Sequence, residues 1–501
     1  MPEQLRIALT IPGAVALGAY EAGALAALIN GIRAANAGGD NDIAVDVIGS
    51  SSSGSLTGLL AARCLLEGLD PVVTLGAAWV QQASSTRLMG HGFAAPFSFR
   101  NMRKDAKRLL ASTPATVSAP TQSTKVRLSL AVQNLRGLGF KRASVSTPTY
   151  DTVSHLDWLD YTVEKGMSVA QLTEPETTSV FGAVLASAAN QLAFPPRLLV
   201  RPLGEEPYDE ITNPPSSGDF WCSDAAILDR EPIGRSLAVA REVDEEHPDE
   251  NVTRLHLVVE PQPRVAAQAL DWSNPKVRPT WLQVLARTAA ITEAQSVFAD
   301  ITGIDDCNTR LDAVDGLMAR LDPVLDGLPA ESAGLLVAAL DGPAGGASRD
   351  VVKNLVRQAI AEAAQVVGRR QVTVAVISPD LVQTGAASVN DRLAGEFIFR
   401  FGGLLDQRLR QSDFDLGYKS TLVWLQDDAG LGKAASPVAL AAATKAYPPA
   451  AAIGEGWVPP ELSFAGRMRM VRMAWRLGVV TVHDVIVGRR AHNRAVKGAG
   501  G

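Results

Sequence analysis

The stretch Asp46–Leu60 has the sequence DVIGSSSSGSLTGLL and decides how the first half of the chain folds. A β-branched run, Ala44–Ile48, predicts a buried strand that ends at the turn Gly49–Gly54. After the turn, apolar residues recur at helical spacing on one face, at Leu56, Leu59, Leu60 and Cys64. A serine at the apex of such a strand-to-helix turn presents its hydroxyl outward, at the positive end of the helix.

Ser52 is the central serine of this turn and is a candidate nucleophile. It matches x-x-S-x-G with Gly54, but Ser50 stands where the G-x-S-x-G elbow has its first glycine. A serine-rich turn is also typical of a helix N-cap, because the hydroxyl satisfies free N–H groups at the helix start. The motif taken alone leaves both interpretations open.

A second strand, turn and helix precede the first. Arg6–Ile11 is an apolar run that ends at Pro12, and the small-residue segment Gly13–Gly23 enters an amphipathic helix. Two consecutive units of this kind predict a parallel sheet with crossover helices. The turn is suited to presenting backbone N–H groups to an oxyanion, or it packs strand on helix. A nucleotide-binding loop is disfavoured because GxGxxG and GxxxxGK[ST] are both absent.

The third feature is an aspartate in the segment SDAAILDREPI, residues 223–233. Asp224 follows Phe220-Trp221 and precedes small residues, as expected for the end of a strand beside a crowded site. A partly desolvated carboxylate can act as the base for a serine if its pKa rises. A turn aspartate without chemistry is the alternative.

Together these motifs resemble those of the patatin-like phospholipases. Ala8–Gly23, with VALGAYEAG, is similar to the family's first strand and oxyanion turn, and Asp46–Leu60 is similar to its nucleophile elbow. Ala186-Ser-Ala-Ala with Phe194-Pro-Pro196 resembles the stretch before the catalytic aspartate, and Asp224–Ile233 resembles D-G-G-x-x-D-N-x-P-x. Weaker similarity to larger bacterial members continues in three C-terminal segments: Leu393-Ala-Gly-Glu, Phe401-Gly-Gly403 and Asp413-Phe-Asp-Leu-Gly417.

The resemblance implies an α/β fold, a three-layer α/β/α patatin-like arrangement with a central, mostly parallel sheet. It implies a lipid acyl hydrolase of the phospholipase A or lysophospholipase type, in which Ser52 is the nucleophile and Asp224 its carboxylate partner. The backbone N–H groups of Gly13, Ala14, Val15 and Ser53 would then form the oxyanion hole. The ester would be cut through a serine acyl-enzyme, with no cofactor and no metal.

The chain departs from the family pattern in its oxyanion and aspartate motifs. Ala14 and Val15 replace glycines, Leu17 replaces a basic residue, and Ala225-Ala226 replaces Gly-Gly or Gly-Ala. A β-branched residue such as Val15 is strained at positive φ. The alternative function is therefore a catalytically weak or inactive patatin-like module that binds lipid or protein.

A serine hydrolase triad is a separate mechanistic alternative. In the chain order Ser52, Asp224, histidine, the nearby downstream candidates are His247 and His256. His247 lies in the acidic stretch DEEHPDE and His256 in a predicted strand, RLHLVVE. Both positions are also typical of histidines without a catalytic role, so a pH–rate profile is needed to choose.

Composition limits the remaining classes of function. The 501 residues carry a formal charge of −6, which disfavours a nucleic-acid partner. Three separated cysteines and six histidines form no disulfide framework and no zinc motif. We expect no signal peptide, and no membrane span because Arg63 interrupts the apolar run LTGLLAARCLL. The expected location is cytoplasmic, with contact to the membrane surface through a lipid substrate; the oligomeric state stays open.

The second half of the chain is predicted to be mainly helical. We expect a patatin-like catalytic domain at 1–265 and a C-terminal region at 266–501 that packs on it or extends it. Near its end, the segment FAGRMRMVRMAW at 464–475 and the residue after it place Arg469, Arg472 and Arg476 on one helical face. Phe464, Met468, Val471 and Trp475 lie on another face. Such a helix either docks on anionic lipid or closes the core with its apolar face.

Overall fold

The computed structural model describes residues 3–90, 95–112, 123–143, 149–205, 208–247, 252–262, 281–340, 348–382, 393–395, 400–427, 430–433, 435–450 and 462–498. The chain divides into two compact units, which are described separately. The first consists of Met1–Ser296 and Val374–Gly501, and the second is Val297–Thr373.

The first unit is built on one sheet of eight strands. These are β1 Glu3–Ile11, β2 Asn41–Ser51, β3 Lys125–Ala143, β4 Thr149–Glu164, β5 Arg197–Val200, β6 Asp219–Asp224, β7 Thr253–Val259 and β8 Val374–Ile377. Their order is β5-β6-β3-β2-β1-β7-β8, with β4 pairing on β3. The neighbours among β3, β2, β1, β7 and β8 pair in parallel, whereas β3–β4, β3–β6 and β5–β6 are antiparallel.

Helices surround this sheet and form most of the second half of the chain. The helices are α1 Gly18–Ala37, α2 Ser53–Glu67, α3 Pro71–Gly76, α4 Ser85–Leu88, α5 Arg100–Leu110, α6 Val169–Thr173, α7 Val180–Ser187, α8 Ile233–Glu246, α9 Trp281–Asp326, α10 Ala330–Ala339, α11 Arg349–Ala363, α12 Gln407–Trp424, α13 Ala435–Ala446 and α14 Phe464–Gly498. A π-helical turn, Ala77–Gln82, follows α3, and short 3-10 turns occur at Val15–Leu17, Pro379–Leu381 and Gly402–Leu405.

Helices cover both faces of the sheet, and successive residues of β1 point to opposite faces. Ile7, Leu9 and Ile11 belong to the large core formed with α1 and α2. Ala8 packs instead with residues of α8, and Thr10 donates to the hydroxyl of Ser236 on the same helix at 2.8 Å. The predicted α/β fold, with a central mostly parallel sheet and a mainly helical C-terminal region, is confirmed.

C-terminal elements of the first unit pack directly on the sheet layer. Strand β8 extends the sheet beside β7. Helix α12 crosses α1 closely at two glycines, Gly23 on α1 and Gly417 on α12, and each of them lies against the backbone of the other helix. A Cβ on Gly23 would lie 1.9 Å from the carbonyl oxygen of Phe414, and one on Gly417 would lie 2.0 Å from that of Tyr20. The close crossing therefore depends on the absence of side chains at both positions.

The second unit has a small core of its own. The end of α9 packs with α10 and α11 around Val314, Met318 and Val337. Ion pairs lie on its surface, where Lys353 and Arg357 meet Asp326 and Asp315. Exposed pairs of this kind contribute little to stability, so this unit rests on its apolar contacts.

Helix α1 is longer and more apolar than we expected when we predicted that no segment of the chain spans a membrane. Among the described helices, Val15–Ala37 is long and apolar enough to cross a membrane by length and composition, and 89% of its most apolar window is buried inside the structure. The expectation that no segment could span a membrane overlooks this helix. Its burial against the sheet and α12 makes it the central core helix.

Candidate active site

The site begins at the sharp turn between β2 and α2. Strand β2 ends at Ser51, α2 begins at Ser53, and Ser52 between them has φ 53° and ψ −128°. This conformation is unfavourable for a residue with a side chain and persists only where surrounding contacts hold it. Gly54 permits the turn, since a Cβ there would lie 2.3 Å from the carbonyl oxygen of Pro12.

Ser52 and Asp224 form a direct hydrogen bond. The Ser52 hydroxyl donates to Oδ2 of Asp224 at 2.6 Å, while Oδ1 accepts the N–H of Ala226 at 2.9 Å. Asp224 is the last residue of β6, and it is 1% exposed while Ser52 is 4% exposed. The sheet therefore brings together two residues that lie 172 positions apart, at the short O···O distance typical of a charge-assisted bond.

The buried side chain of Ser187 holds the strained turn at Ser52 through hydrogen bonds. Ser187, the last residue of α7, accepts the N–H of Ser52 at 2.9 Å and donates to the carbonyl oxygen of Ala131 at 2.7 Å. Its hydroxyl also lies 2.8 Å from that of Ser55. Ser187 is fully buried, so these contacts replace water around the elbow. They fix the backbone that carries Ser52.

The four N–H groups proposed for an oxyanion hole are not equivalent. The N–H of Gly13 donates to the carbonyl oxygen of Arg230 at 2.8 Å, and that of Ala14 donates to the hydroxyl of Ser53 at 2.9 Å. Both groups are occupied inside the fold. Val15 and Ser53 are instead the first residues of helical turns, where N–H groups have no acceptor in their own helix. Of the four residues, these two line the cleft described below.

Val15 has φ 53°, the region in which a β-branched side chain is strained. The carbonyl oxygen of Arg400 holds the turn just after it by accepting the N–H of Ala16 at 3.1 Å. Arg400 is itself at φ 68°. A segment from the C-terminal half of the chain therefore helps to shape the oxyanion turn.

A buried ion pair lies behind this turn. Arg230 contacts Glu260 through both carboxylate oxygens, at 3.0 and 3.3 Å, and the two side chains are 7% and 3% exposed. Burial alone would raise the pKa of Glu260, but the guanidinium and further hydrogen bonds lower it below the usual value. The positive charge near Gly13 is thus paired, while Leu17, at the position of the family's basic residue, is buried in the core.

The two histidines considered for a triad lie elsewhere. His247 is an exposed residue at the end of α8. His256 on β7 pairs in register with Ala8, on the face of the sheet covered by α8. Burial, reinforced by Arg254, lowers the pKa of His256 to about 4. No histidine in the described part of the chain lines the cleft, and Asp224 contacts Ser52 without an intermediate.

Ser52 opens into a cleft of about 860 Å³, part of it open to solvent. Apolar side chains form most of its walls, and a smaller polar group includes Gln82, Arg87, Asn101, Asp105 and Asn190. The apolar lining residues are Val15, Leu56, Leu60, Ala78, Trp79, Ala83, Leu88, Met102, Ala106, Leu109, Ala188, Phe194, Phe401 and Leu404. The apolar lining suits a long apolar group.

Arg410 joins two parts of the cleft wall. Its guanidinium donates to the carbonyl oxygens of Val80 at 3.0 Å and Gly403 at 2.7 Å. Val80 belongs to the π-helical turn that carries Trp79, and Gly403 lies between Phe401 and Leu404. Burial lowers the pKa of Arg410 to about 10, so the side chain stays charged at neutral pH.

The C-terminal motifs converge behind the same wall. Asp413 on α12 accepts the N–H groups of Ala394 and Gly395 at 2.7 and 3.0 Å. A Cβ on Gly395 would lie 3.2 Å from the backbone of Gly403. These residues belong to the three C-terminal segments that resemble the family, and they support the wall without touching Ser52.

Several of these residues had no role assigned from sequence. Ser187 lies within the quoted Ala186-Ser-Ala-Ala stretch, but its bond to the Ser52 N–H depends on where α7 ends in space. Arg410 and Arg400 carry no sequence signal, because a surface arginine and a buried one look alike in a helical or loop segment. The described residues contain no group of three His, Cys, Asp or Glu side chains arranged to hold a metal ion.

Comparisons with known proteins show only distant similarity, to solved structures. No protein-family model matches the chain, and no curated protein matches it. Among solved structures, the chain is similar to VipD from Legionella pneumophila, with 11% sequence identity and a TM-score of 0.23, over 96% of this chain and 92% of that one. A superposition at that level assigns neither residues nor an activity, so the functional argument rests on this chain's own geometry.

Proposed function

We propose that this protein is a serine acyl hydrolase acting on lipid esters, of the phospholipase A or lysophospholipase type, through a Ser52–Asp224 dyad. The observation that carries the proposal is the 2.6 Å hydrogen bond from the Ser52 hydroxyl to Asp224 at the base of an apolar cleft. The motif order that resembles the patatin-like phospholipases supports the same chemistry.

Asp224 is the base in the proposed reaction. As Ser52 Oγ attacks the carbonyl carbon of the ester, the hydroxyl proton passes to Oδ2 of Asp224 along the existing hydrogen bond. The proton then goes to the leaving alkoxide, which departs as an alcohol. In the second half, Asp224 takes a proton from water, whose oxygen attacks the acyl-enzyme. When the tetrahedral intermediate collapses, Asp224 returns that proton to Ser52 Oγ, and the fatty acid and free Ser52 are released.

The oxyanion of each tetrahedral intermediate would be stabilised by the N–H groups of Val15 and Ser53. Both residues begin helical turns and line the cleft, whereas the N–H groups of Gly13 and Ala14 already donate within the fold. Fixed donors of this type lower the barrier because they need no reorganisation as charge develops. Loss of one such donor typically costs ~3 kcal/mol of the transition-state stabilisation.

The cleft favours a lipid over a small polar ester. Leu56, Leu60 and Leu109 line one part of it, and Phe194 and Leu404 line another. Burying an acyl chain there contributes ~0.8 kcal/mol per methylene, so long-chain esters should bind far more tightly than acetate esters. Arg87, which pairs with Asp105 and is half-exposed, is a polar group that a head group would meet.

Covalent labelling with an alkyl fluorophosphonate tests the proposal directly. The intact protein should be labelled at Ser52, and Ser52→Ala should abolish labelling. Asp224→Asn should slow it by at least ~100-fold because general-base catalysis is lost. Ser51→Ala is the matched control, because Ser51 is a serine of the same turn whose hydroxyl donates to the carbonyl oxygen of Asp229 and contacts neither Ser52 Oγ nor Asp224 Oδ2. Labelling that is absent, or that persists in Ser52→Ala, overturns the enzyme proposal.

A second candidate is a lipid-binding module without catalysis. It is favoured by the occupied N–H groups of Gly13 and Ala14, the strained φ of Val15 and the buried Leu17. This candidate predicts that the cleft binds a fatty acid while the fluorophosphonate leaves Ser52 unmodified. Fluorescent fatty-acid binding, measured beside the labelling experiment, distinguishes the two functions.

A further inference from the structure

Helix α14 carries an apolar stripe that faces solvent. Phe464, Met468, Val471 and Trp475 are 81%, 40%, 57% and 74% exposed. At ~100° per residue they fall within ~60° of one another around the helix axis, so they form one continuous line. Single exposed apolar residues are ordinary, but four in a line on one helix indicate a docking surface.

The opposite face of the same helix is already docked. Met473 packs against the apolar cluster of Leu88, Phe97 and Leu404, and Met470 packs near Leu405 and Leu409. Arg469 donates to the carbonyl oxygen of Leu405 at 2.8 Å. Because these contacts hold α14 against the first unit, the exposed stripe is not available to close that core. The closing-helix interpretation accounts for Met470 and Met473 but leaves the stripe without a role.

Charge identifies what the stripe fits. Between 464 and 483 the helix has four arginines and no acidic residue, on a chain whose formal charge is −6. Arg467 and Arg472 are exposed and lie on either side of the stripe, about 60–80° from its centre. Arginines at the edges of an apolar face keep their charge at the head-group level while the apolar residues enter the acyl region.

The docked face of α14, opposite the stripe, lies against the cleft wall. Leu404, which contacts the Met473 side of α14 through one cluster, lines the cleft together with Phe401 and Phe194. A surface that held the protein on a bilayer through α14 would therefore bring the cleft wall near the source of lipid. This link to catalysis rests on the proposed function, whereas the docking surface itself does not.

We infer that the stripe Phe464, Met468, Val471 and Trp475, flanked by Arg467 and Arg472, docks the protein onto an anionic lipid bilayer. The helix lies in the plane of the interface, with Met470 and Met473 toward the protein and the stripe toward the lipid. Apolar burial supplies most of the affinity, and the arginines supply selectivity for anionic over neutral head groups.

Co-sedimentation with lipid vesicles tests the inference without using catalysis. The protein carries Ser52→Ala throughout, so no lipid is cleaved and failure of the proposed function cannot alter the result. Vesicles of phosphatidylcholine alone are compared with vesicles of two parts phosphatidylcholine to one part phosphatidylglycerol. The expected result is binding to the anionic vesicles that weakens as salt is raised.

The variants separate apolar from electrostatic contributions. Phe464→Ser with Trp475→Ser should weaken partitioning by about 100-fold, because two large side chains no longer enter the bilayer. Arg472→Gln should weaken binding to anionic vesicles about 5-fold and leave binding to neutral ones unchanged. The matched control is Val73→Ser with Leu335→Ser, two apolar residues of 65% and 68% exposure outside α14.

Three results would overturn the inference. One is that the protein binds neither the neutral nor the anionic vesicles. Another is a loss in the control double variant equal to that in the stripe variant. The third is light scattering that shows a dimer which the stripe variant dissociates, since the stripe would then be covered by a second copy. Circular dichroism of each variant checks that α14 and the rest of the fold are retained.

Discussion

Removing the hydroxyl of Ser187 should damage the nucleophile turn more than removing the neighbouring hydroxyl of Ser55. Ser187→Ala takes away the acceptor of the Ser52 N–H, at 2.9 Å, and the donor to the carbonyl oxygen of Ala131. Both groups lie in the fully buried interior around Ser187, where no solvent replaces the lost contacts. The matched variant is Ser55→Ala, which removes a neighbouring hydroxyl of the same network but leaves the Ser52 N–H bonded.

The magnitude follows from the groups left without partners. An unsatisfied buried N–H costs ~1–3 kcal/mol, and the carbonyl loses a bond of ~1 kcal/mol, so Ser187→Ala should lower the free energy of unfolding by about 3 kcal/mol. Ser55→Ala should cost about 1 kcal/mol, because the remaining hydroxyls keep other partners. The strained φ of Ser52 is worth ~1–3 kcal/mol, so the elbow should relax when its N–H bond is lost.

Urea unfolding measures the stability difference, and fluorophosphonate labelling measures the state of the turn. We expect Ser187→Ala to be labelled about 10- to 30-fold more slowly than the parent chain, equivalent to losing ~1.4–2 kcal/mol of support at the reacting serine. Ser55→Ala should be labelled nearly normally. Equal losses of stability in the two variants would refute the role given to Ser187, whatever the outcome of labelling.

Two further predictions concern a buried base and the cleft wall. The pKa of His256 is lowered to about 4 from an ordinary ~6.5, so the folded state favours the neutral imidazole. The folded state therefore has its full stability above pH ~6.5 and loses part of it as the pH falls towards 4, because the unfolded chain then binds a proton that the folded chain does not. Between pH 6.5 and pH 4, the free energy of unfolding measured with a denaturant should fall by about 3 kcal/mol less in His256→Leu than in the parent chain. The same fall in both proteins would contradict the lowered pKa of His256. Arg410→Met should destabilise the protein by about 2 kcal/mol and raise the KM of long-chain esters more than it lowers kcat, since it frees two buried carbonyls on the cleft wall. A selective fall in kcat would count against a positioning role for Arg410.

The sequence was informative where chemistry and backbone geometry are local. The run of small residues from Gly49 to Gly54 predicts a sharp strand-to-helix turn, and that is where β2 ends and α2 begins. The predicted strand RLHLVVE, residues 254–260, also agrees with β7 to within one residue at each end. Apolar periodicity is strong in these segments because each is buried on a defined face.

The antiparallel side of the sheet was harder to predict. Strand β4, Thr149–Glu164, was missed because its many polar residues hide the apolar alternation, and only Asp157, Leu159 and Val163 among its side chains are buried in the described structure. Strand β3 runs from Lys125 to Ala143 because it pairs with β4 along most of that length. Pairing partners, which are distant in sequence, decide such lengths.

The oxyanion turn also has features that the sequence predicts and others that depend on tertiary contacts between single atoms. Sequence placed Gly13, Ala14 and Val15 in a turn at the end of β1 and identified positive φ at Val15 as a strain. It could not show that the carbonyl oxygen of Arg230 takes the N–H of Gly13, or that the Ser53 hydroxyl takes that of Ala14. Both acceptors reach the turn only when the sheet is assembled.

By itself, the sequence determined the α/β class, the strand-to-helix turn at Ser52 and the candidate partner Asp224, because motif geometry and apolar periodicity are short-range properties of the chain. Tertiary structure decided the 2.6 Å contact between them, the support from Ser187 and the cleft wall supplied by Phe401, Leu404 and Arg410. It also decided that the stripe on α14 stays in solvent. These features depend on which surfaces meet when distant segments pack, and no local pattern in the chain encodes that choice.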